Sequence, residues 1–128
     1  DKLSKVFEDF AKEDKNVSAD IIEKYKNAPY RAPMIVILVN SYKEHPKVPA
    51  IEQKLSTATA AQNIMLALNA MKYSCIWRTG KLAFNKSVQA NLNLEDHQEI
   101  LGYLYIGTES GEKKKIPNLD IDDFVSYL

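Results

Sequence analysis

Residues 58–71 read Ala58-Thr59-Ala60-Ala61-Gln62-Asn63-Ile64-Met65-Leu66-Ala67-Leu68-Asn69-Ala70-Met71, and after Lys72-Tyr73 the chain changes to Ser74-Cys75-Ile76-Trp77-Arg78-Thr79-Gly80. Only Thr59, Gln62, Asn63 and Asn69 interrupt the apolar residues of the first stretch. Its periodicity extends back to Ala50 and predicts a helix from there to about Tyr73. A helix that is apolar on every side is expected to be buried and not amphipathic. Its apolar run is too short, and too rich in amides, for a membrane span. The following segment brings an aromatic ring, a guanidinium, a hydroxyl and a glycine together. A rigid helix that delivers such a cluster can hold a ligand.

Upstream, Leu3, Val6, Phe7, Phe10 and Ala11 recur at helical spacing, predicting an amphipathic helix over about Leu3 to Asp14. Ser18 opens a short helix over Ala19 to Lys26, which the prolines of Asn27-Ala28-Pro29-Tyr30-Arg31-Ala32-Pro33 then stop. Met34-Ile35-Val36-Ile37-Leu38-Val39 is a continuous apolar, β-branched run and predicts a central strand buried on both faces. Asn40 to Pro49 is a polar loop. Downstream, Asn85 to Leu92 predicts another helix, and Ile100-Leu101-Gly102-Tyr103-Leu104-Tyr105-Ile106-Gly107 a second strand whose glycines imply close backbone approach. Gly111 to Lys115 reads as a charged, solvated turn. The apolar tail Phe124-Val125-Ser126-Tyr127-Leu128 is expected to dock on another surface. Mingled helices and strands predict an α+β or α/β fold.

The chain has 128 residues, enough for one domain with a real core. Its 17 basic and 17 acidic residues cancel, so no basic footprint points to nucleic acid. One cysteine excludes an internal disulfide and fits a reducing compartment. There is no Gly-rich phosphate loop, no paired-histidine metal spacing and no Ser/His/Asp set. Cys75 with His45 or His97 has no spacing that supports a nucleophile and base; a small buried thiol and two solvated histidines is the plainer reading. Because the chain opens at Asp1 directly into an amphipathic pattern, we expect it to be part of a longer polypeptide.

An ordered series of segments carries a resemblance. Asn27 to Pro33 before an apolar strand, Lys47-Val48-Pro49 with Glu52-Gln53, the helix Asn63 to Met71, Ile76 to Gly80, and Gly102-Tyr103-Leu104-Tyr105-Ile106-Gly107-Thr108 fall in the order and spacing of the nitroreductase family. The chain resembles its compact NAD(P)H nitroreductase branch from about Leu3 to Leu128. The resemblance implies an α+β fold, with a central mixed sheet flanked by helices and a long buried helix. It further implies a cytoplasmic homodimer with FMN at the subunit interface, carrying hydride from NAD(P)H to a nitro compound, quinone or similar small-molecule acceptor, with neither nucleic acid nor membrane as partner. Trp77, Arg78 and Thr79 match the segment against the flavin. Ala67, Leu68, Asn69, Ala70, Met71 and Lys72 match the place of the nicotinamide cofactor.

Two departures stand out. The family's flavin-phosphate-gripping Arg-Arg-Ser segment would lie upstream of Asp1, outside this sequence. Lys72 occupies a position where the family usually has glycine; if that backbone is left-handed, lysine costs about 1 kcal/mol relative to glycine. Lys113, Lys114 and Lys115 are candidates to lend charge to a phosphate, with a solvated turn as the plainer reading. The rival readings are a flavin-free dimeric binding or structural member of the same fold, and an inactive fragment.

Overall fold

A computed structural model describes residues 2–111 and 115–127. In chain order the elements are α1 (Lys2–Lys12), α2 (Ala19–Lys26), a 3-10 turn (Ala28–Arg31), β1 (Met34–Ser41), α3 (Ala50–Ala70), β2 (Ser74–Arg78), α4 (Lys81–Phe84), α5 (Lys86–Asn91), β3 (Gln98–Gly107) and a second 3-10 turn (Ile121–Phe124). The α+β class holds. The three strands form one sheet in the order β1-β3-β2, with both pairings antiparallel. Among the described residues the sheet is therefore antiparallel and not mixed, and β1 is an edge strand. The central strand is β3.

The sheet separates two cores. On one face Phe7, Val6, Ala83, Val88, Ile100, Tyr103 and Tyr105 pack beneath α1, α4, α5 and the first 3-10 turn. Phe7 and Tyr103 meet edge to face at 5.4 Å, and the Tyr103 hydroxyl donates to the Leu82 carbonyl at 3.0 Å. Helices α1 and α2 are joined where the Ser4 hydroxyl donates to the Lys26 carbonyl at 2.7 Å. At the start of α5, Asn85 caps the helix by accepting from the Val88 N–H at 3.0 Å. On the other face Leu38, Leu104 and Ile106 meet Ala61, Met65 and Leu68 of α3.

Helix α3 corrects the expectation of a buried helix. Ala61 is its only buried residue. Ile51, Leu55 and Leu66 are each more than half exposed. A three-stranded sheet can cover one stripe of a helix, and the rest of this apolar cylinder is left open within the chain. Its first half is fastened by polar contacts. The Thr57 hydroxyl donates to Asn40 Oδ1 at 3.2 Å, Asn40 Nδ2 to Glu99 Oε1 at 3.1 Å, and Lys54 pairs with Glu99 at 3.0 Å. Gln53 holds the preceding loop through both the N–H and the carbonyl of Lys43.

The apolar tail, expected to dock on another surface, is exposed at Phe124 and Tyr127 within the chain. Leu128, like Lys113 and Lys114 of the charged turn, lies outside the described residues.

Candidate functional site

The end of α3 sets where the next segment begins. The Tyr73 N–H donates to the Leu68 carbonyl at 2.9 Å and the Lys72 N–H to the Asn69 carbonyl at 3.0 Å. Lys72 has φ 67°. This is a Schellman cap, and its left-handed position normally holds glycine. The turn is thus the one expected for a glycine, and Lys72 occupies it at a steric cost.

Strand β2 then alternates its side chains across the sheet. Cys75 and Trp77 face the α3 side. The Trp77 indole is only partly exposed, and its Nε1–H donates to the Leu101 carbonyl at 3.2 Å. It lies against Gly102: a Cβ there would stand 2.1 Å from Trp77 Nε1 and 2.8 Å from the Arg78 carbonyl oxygen. That is the close approach the glycines of this strand imply. Burial pushes the Cys75 thiol up from its ordinary pKa, as suits an unreactive thiol.

Arg78 and Thr79 open on the opposite side. They line a cleft of about 470 Å³ together with Lys24, Arg31, Tyr103 and Tyr105, within the size range of small-molecule sites. The Arg78 guanidinium lies 5.8 Å from the centre of the Tyr105 ring. Burial pushes the Tyr105 phenol up, while the charges of Arg31 and Arg78 pull it back. Next to the cleft, Gly80 has φ 95°, and a Cβ placed there would meet nothing within 4 Å. Among the described residues, neither Thr79 nor Gly80 donates a backbone-to-backbone hydrogen bond outside the strand ladder. The turn therefore offers open backbone donors beside an aromatic and cationic wall. Those features fit a planar, electron-rich ring with hydrogen-bond acceptors at its edge.

A second cleft of about 300 Å³ shares Arg31, Arg78 and Tyr105 with the first, and adds Cys75, Ile76 and Thr108. A third, of about 370 Å³, shares Pro33, Gly107 and Thr108 with the second and is bounded by Leu68, Met71 and Tyr73. The three run into one another around the end of the sheet where β1 begins and β3 ends. Of the candidates from sequence, Arg78 and Thr79 share the first cleft, while Leu68 and Met71 line the third. Trp77 lines none of the three clefts. Nor do Ala67, Asn69, Ala70 and Lys72, although they belong to the cap that bounds the third. Arg31, Lys24 and Tyr105 were not singled out as site residues. Arg31 sits in a proline-flanked stop segment, and that setting is the one local signal for it.

The nitroreductase-family sequence model matches residues 1–108. The chain belongs to the nitroreductase family. It is 34% identical over 110 residues to the Escherichia coli (strain K12) protein named "Putative NAD(P)H nitroreductase YdjA", an overlap covering 84% of this chain and 59% of that protein. It is 30% identical over 108 residues to a Haemophilus influenzae protein named "Putative NAD(P)H nitroreductase", covering 82% and 58%. The chain thus spans about three-fifths of the length of these curated relatives. Among solved structures, a nitroreductase-like family protein from Bacillus cereus superposes with TM-score 0.75 at 20% identity, over 99% of this chain and 66% of that one. A Bacteroides fragilis nitroreductase solved with bound FMN superposes with TM-score 0.62 at 18% identity, over 93% and 66%. At such identities the structural likeness speaks to the fold.

Proposed function

We propose that this chain is the larger part of a cytoplasmic, homodimeric, FMN-dependent NAD(P)H oxidoreductase that reduces nitro compounds, quinones or similar acceptors in a ping-pong cycle. The observation that carries the reading is the open Thr79–Gly80 turn beside the Arg78–Tyr105 wall, on a chain of this family. FMN, when bound, supplies the hydride chemistry. The chain's own residues bind and orient. The backbone N–H groups of Thr79 and Gly80 serve as donors to acceptor atoms on a ring edge. Arg78 places a cation beside that edge and favours negative charge there. Leu68 and Met71 of the third cleft give the nicotinamide an apolar surface next to the Lys72 turn, and Trp77 braces β2 from behind.

The open apolar surface of α3 supports the homodimer. Ile51, Leu55 and Leu66 are on a helix that the chain itself covers on one side only, and a second copy would cover the rest. No helix among the described residues is long and apolar enough to cross a membrane.

The deciding experiment is a titration of the chain with FMN, followed by quenching of flavin fluorescence, and then by loss of flavin absorbance when NADH or NADPH is added. Saturable quenching and anaerobic bleaching are the expected results. An absence of quenching, with this chain and also with one extended at its N-terminus by the matching residues of a relative, would leave the flavin-free reading standing.

A further inference from the structure

The chain is neutral overall, but its main cleft is not. Lys24, Arg31 and Arg78 line it, and among the described residues neither this cleft nor the one adjoining it contains an aspartate or glutamate. None of the three cations takes part in an ion pair among the described residues. They come from separate elements: α2, the first 3-10 turn and β2. Helical periodicity therefore does not bring them together; the tertiary fold does.

Tyr105 is the second observation. Its ring lies under Arg78, and the charge of Arg31 acts on its phenol as well. Tyr105 lines both this cleft and the one adjoining it. Two guanidinium forks, an ammonium and a phenol are what an oxyanion needs, and the guanidinium geometry matches a carboxylate edge in particular. Beside these groups the wall is apolar, formed by Ile21 and Leu82. A flat hydrocarbon body can rest there while its charged head meets the cations.

We propose that this cleft seats the carboxylate of a planar aromatic acceptor, so that the chain prefers anionic nitroaromatic acceptors over neutral ones. The assignment of the ligand as an acceptor rests on the oxidoreductase reading; the anion seat itself does not. A nucleotide phosphate would present related chemistry, and the test separates the two.

The test is a nuclear magnetic resonance titration of the whole chain, without added flavin, using 4-nitrobenzoate, its uncharged analogue 4-nitrobenzamide, and inorganic phosphate. The benzoate should bind about tenfold more tightly than the amide at low salt, as a charge-assisted pair would give. The preference should shrink severalfold in concentrated sodium chloride, because the cations are exposed and screened. Arg31→Met should remove most of it. Lys24→Met, a change on the exposed face of a helix, should weaken it without disturbing the fold. Equal binding of benzoate and amide, or a preference unchanged in both variants, overturns the proposal. Binding of phosphate but not of benzoate also overturns it, and gives the seat to a nucleotide. FMN uptake is measured on a separate sample. If neither this chain nor its N-terminally extended form takes up flavin while the two probes are still discriminated, the oxidoreductase reading is refuted and the anion seat stays in place.

Discussion

Replacing Gly102 by alanine tests the coupling between the sheet and the candidate site. The new Cβ would lie 2.1 Å from Trp77 Nε1, 2.7 Å from Trp77 Cδ1 and 2.8 Å from the Arg78 carbonyl oxygen. Gly102 also has φ 151°, a backbone conformation that side chains rarely adopt. The indole has to swing away by roughly 1 Å, which forfeits its 3.2 Å bond to the Leu101 carbonyl. Forced overpacking costs about 1–3 kcal/mol and the lost hydrogen bond about 1 kcal/mol. Together they amount to about 2–4 kcal/mol. In a chain of this size that corresponds to a fall in Tm of roughly 10 °C. Trp77 is the only tryptophan, so its emission reports the displacement directly and should shift to the red as the ring gains water. Thermal unfolding followed by that emission measures both effects in one sample. A Gly102→Ala chain with native emission and a Tm within about 2 °C of the parent would refute the interlock, because that small change corresponds to well under 1 kcal/mol.

Lys72→Gly should stabilise the chain by about 1 kcal/mol, because it relieves a left-handed lysine in the α3 cap, and a urea midpoint will show it. Tyr103→Phe should cost about 1 kcal/mol through the lost bond to the Leu82 carbonyl. Burial holds the Tyr103 phenol protonated above its ordinary value of 10.0. The unfolded chain therefore releases that proton first, and stability falls as pH rises past about 10. The Phe variant should have a flatter alkaline limb in pH-dependent unfolding. Leu55→Glu combined with Leu66→Glu should shift sedimentation from dimer to monomer, with little change in helical circular dichroism.

Much of the fold was legible because its signals are local. The bounds of α2 are set by residues that open and stop a helix, and the observed element coincides with the expected Ala19 to Lys26. The strand at Met34 follows from its β-branched run. Its place in the sheet does not. Burial of a strand's two faces depends on the helices above and below it, whereas edge or centre depends on pairing partners far along the chain. Strand β2 has five residues, too few for alternation to stand out, and the sequence shows only a change of character after Tyr73. Composition likewise shows that α3 is apolar all round without saying which body covers it. At the site, Arg78 and Thr79 were found through their place in an ordered motif. Arg31 and Lys24 join them only because α2 and the 3-10 turn fold back over the end of β2. No spacing along the chain records that.

The position of β3 has a consequence for biosynthesis. Met34 of β1 pairs with Ile106, and Ser74 of β2 pairs with Gly107. The two earlier strands share no ladder with each other, so no part of the sheet can form on the ribosome until the third strand has emerged. Until then the apolar run of β1 and the stripe of α3 at Ala61, Met65 and Leu68 wait without the sheet core that they join. Such late, long-range pairing is slow and leaves apolar surface exposed to aggregation. The yield of folded protein should therefore depend on how well the first hundred or so residues are kept apart from their neighbours during synthesis.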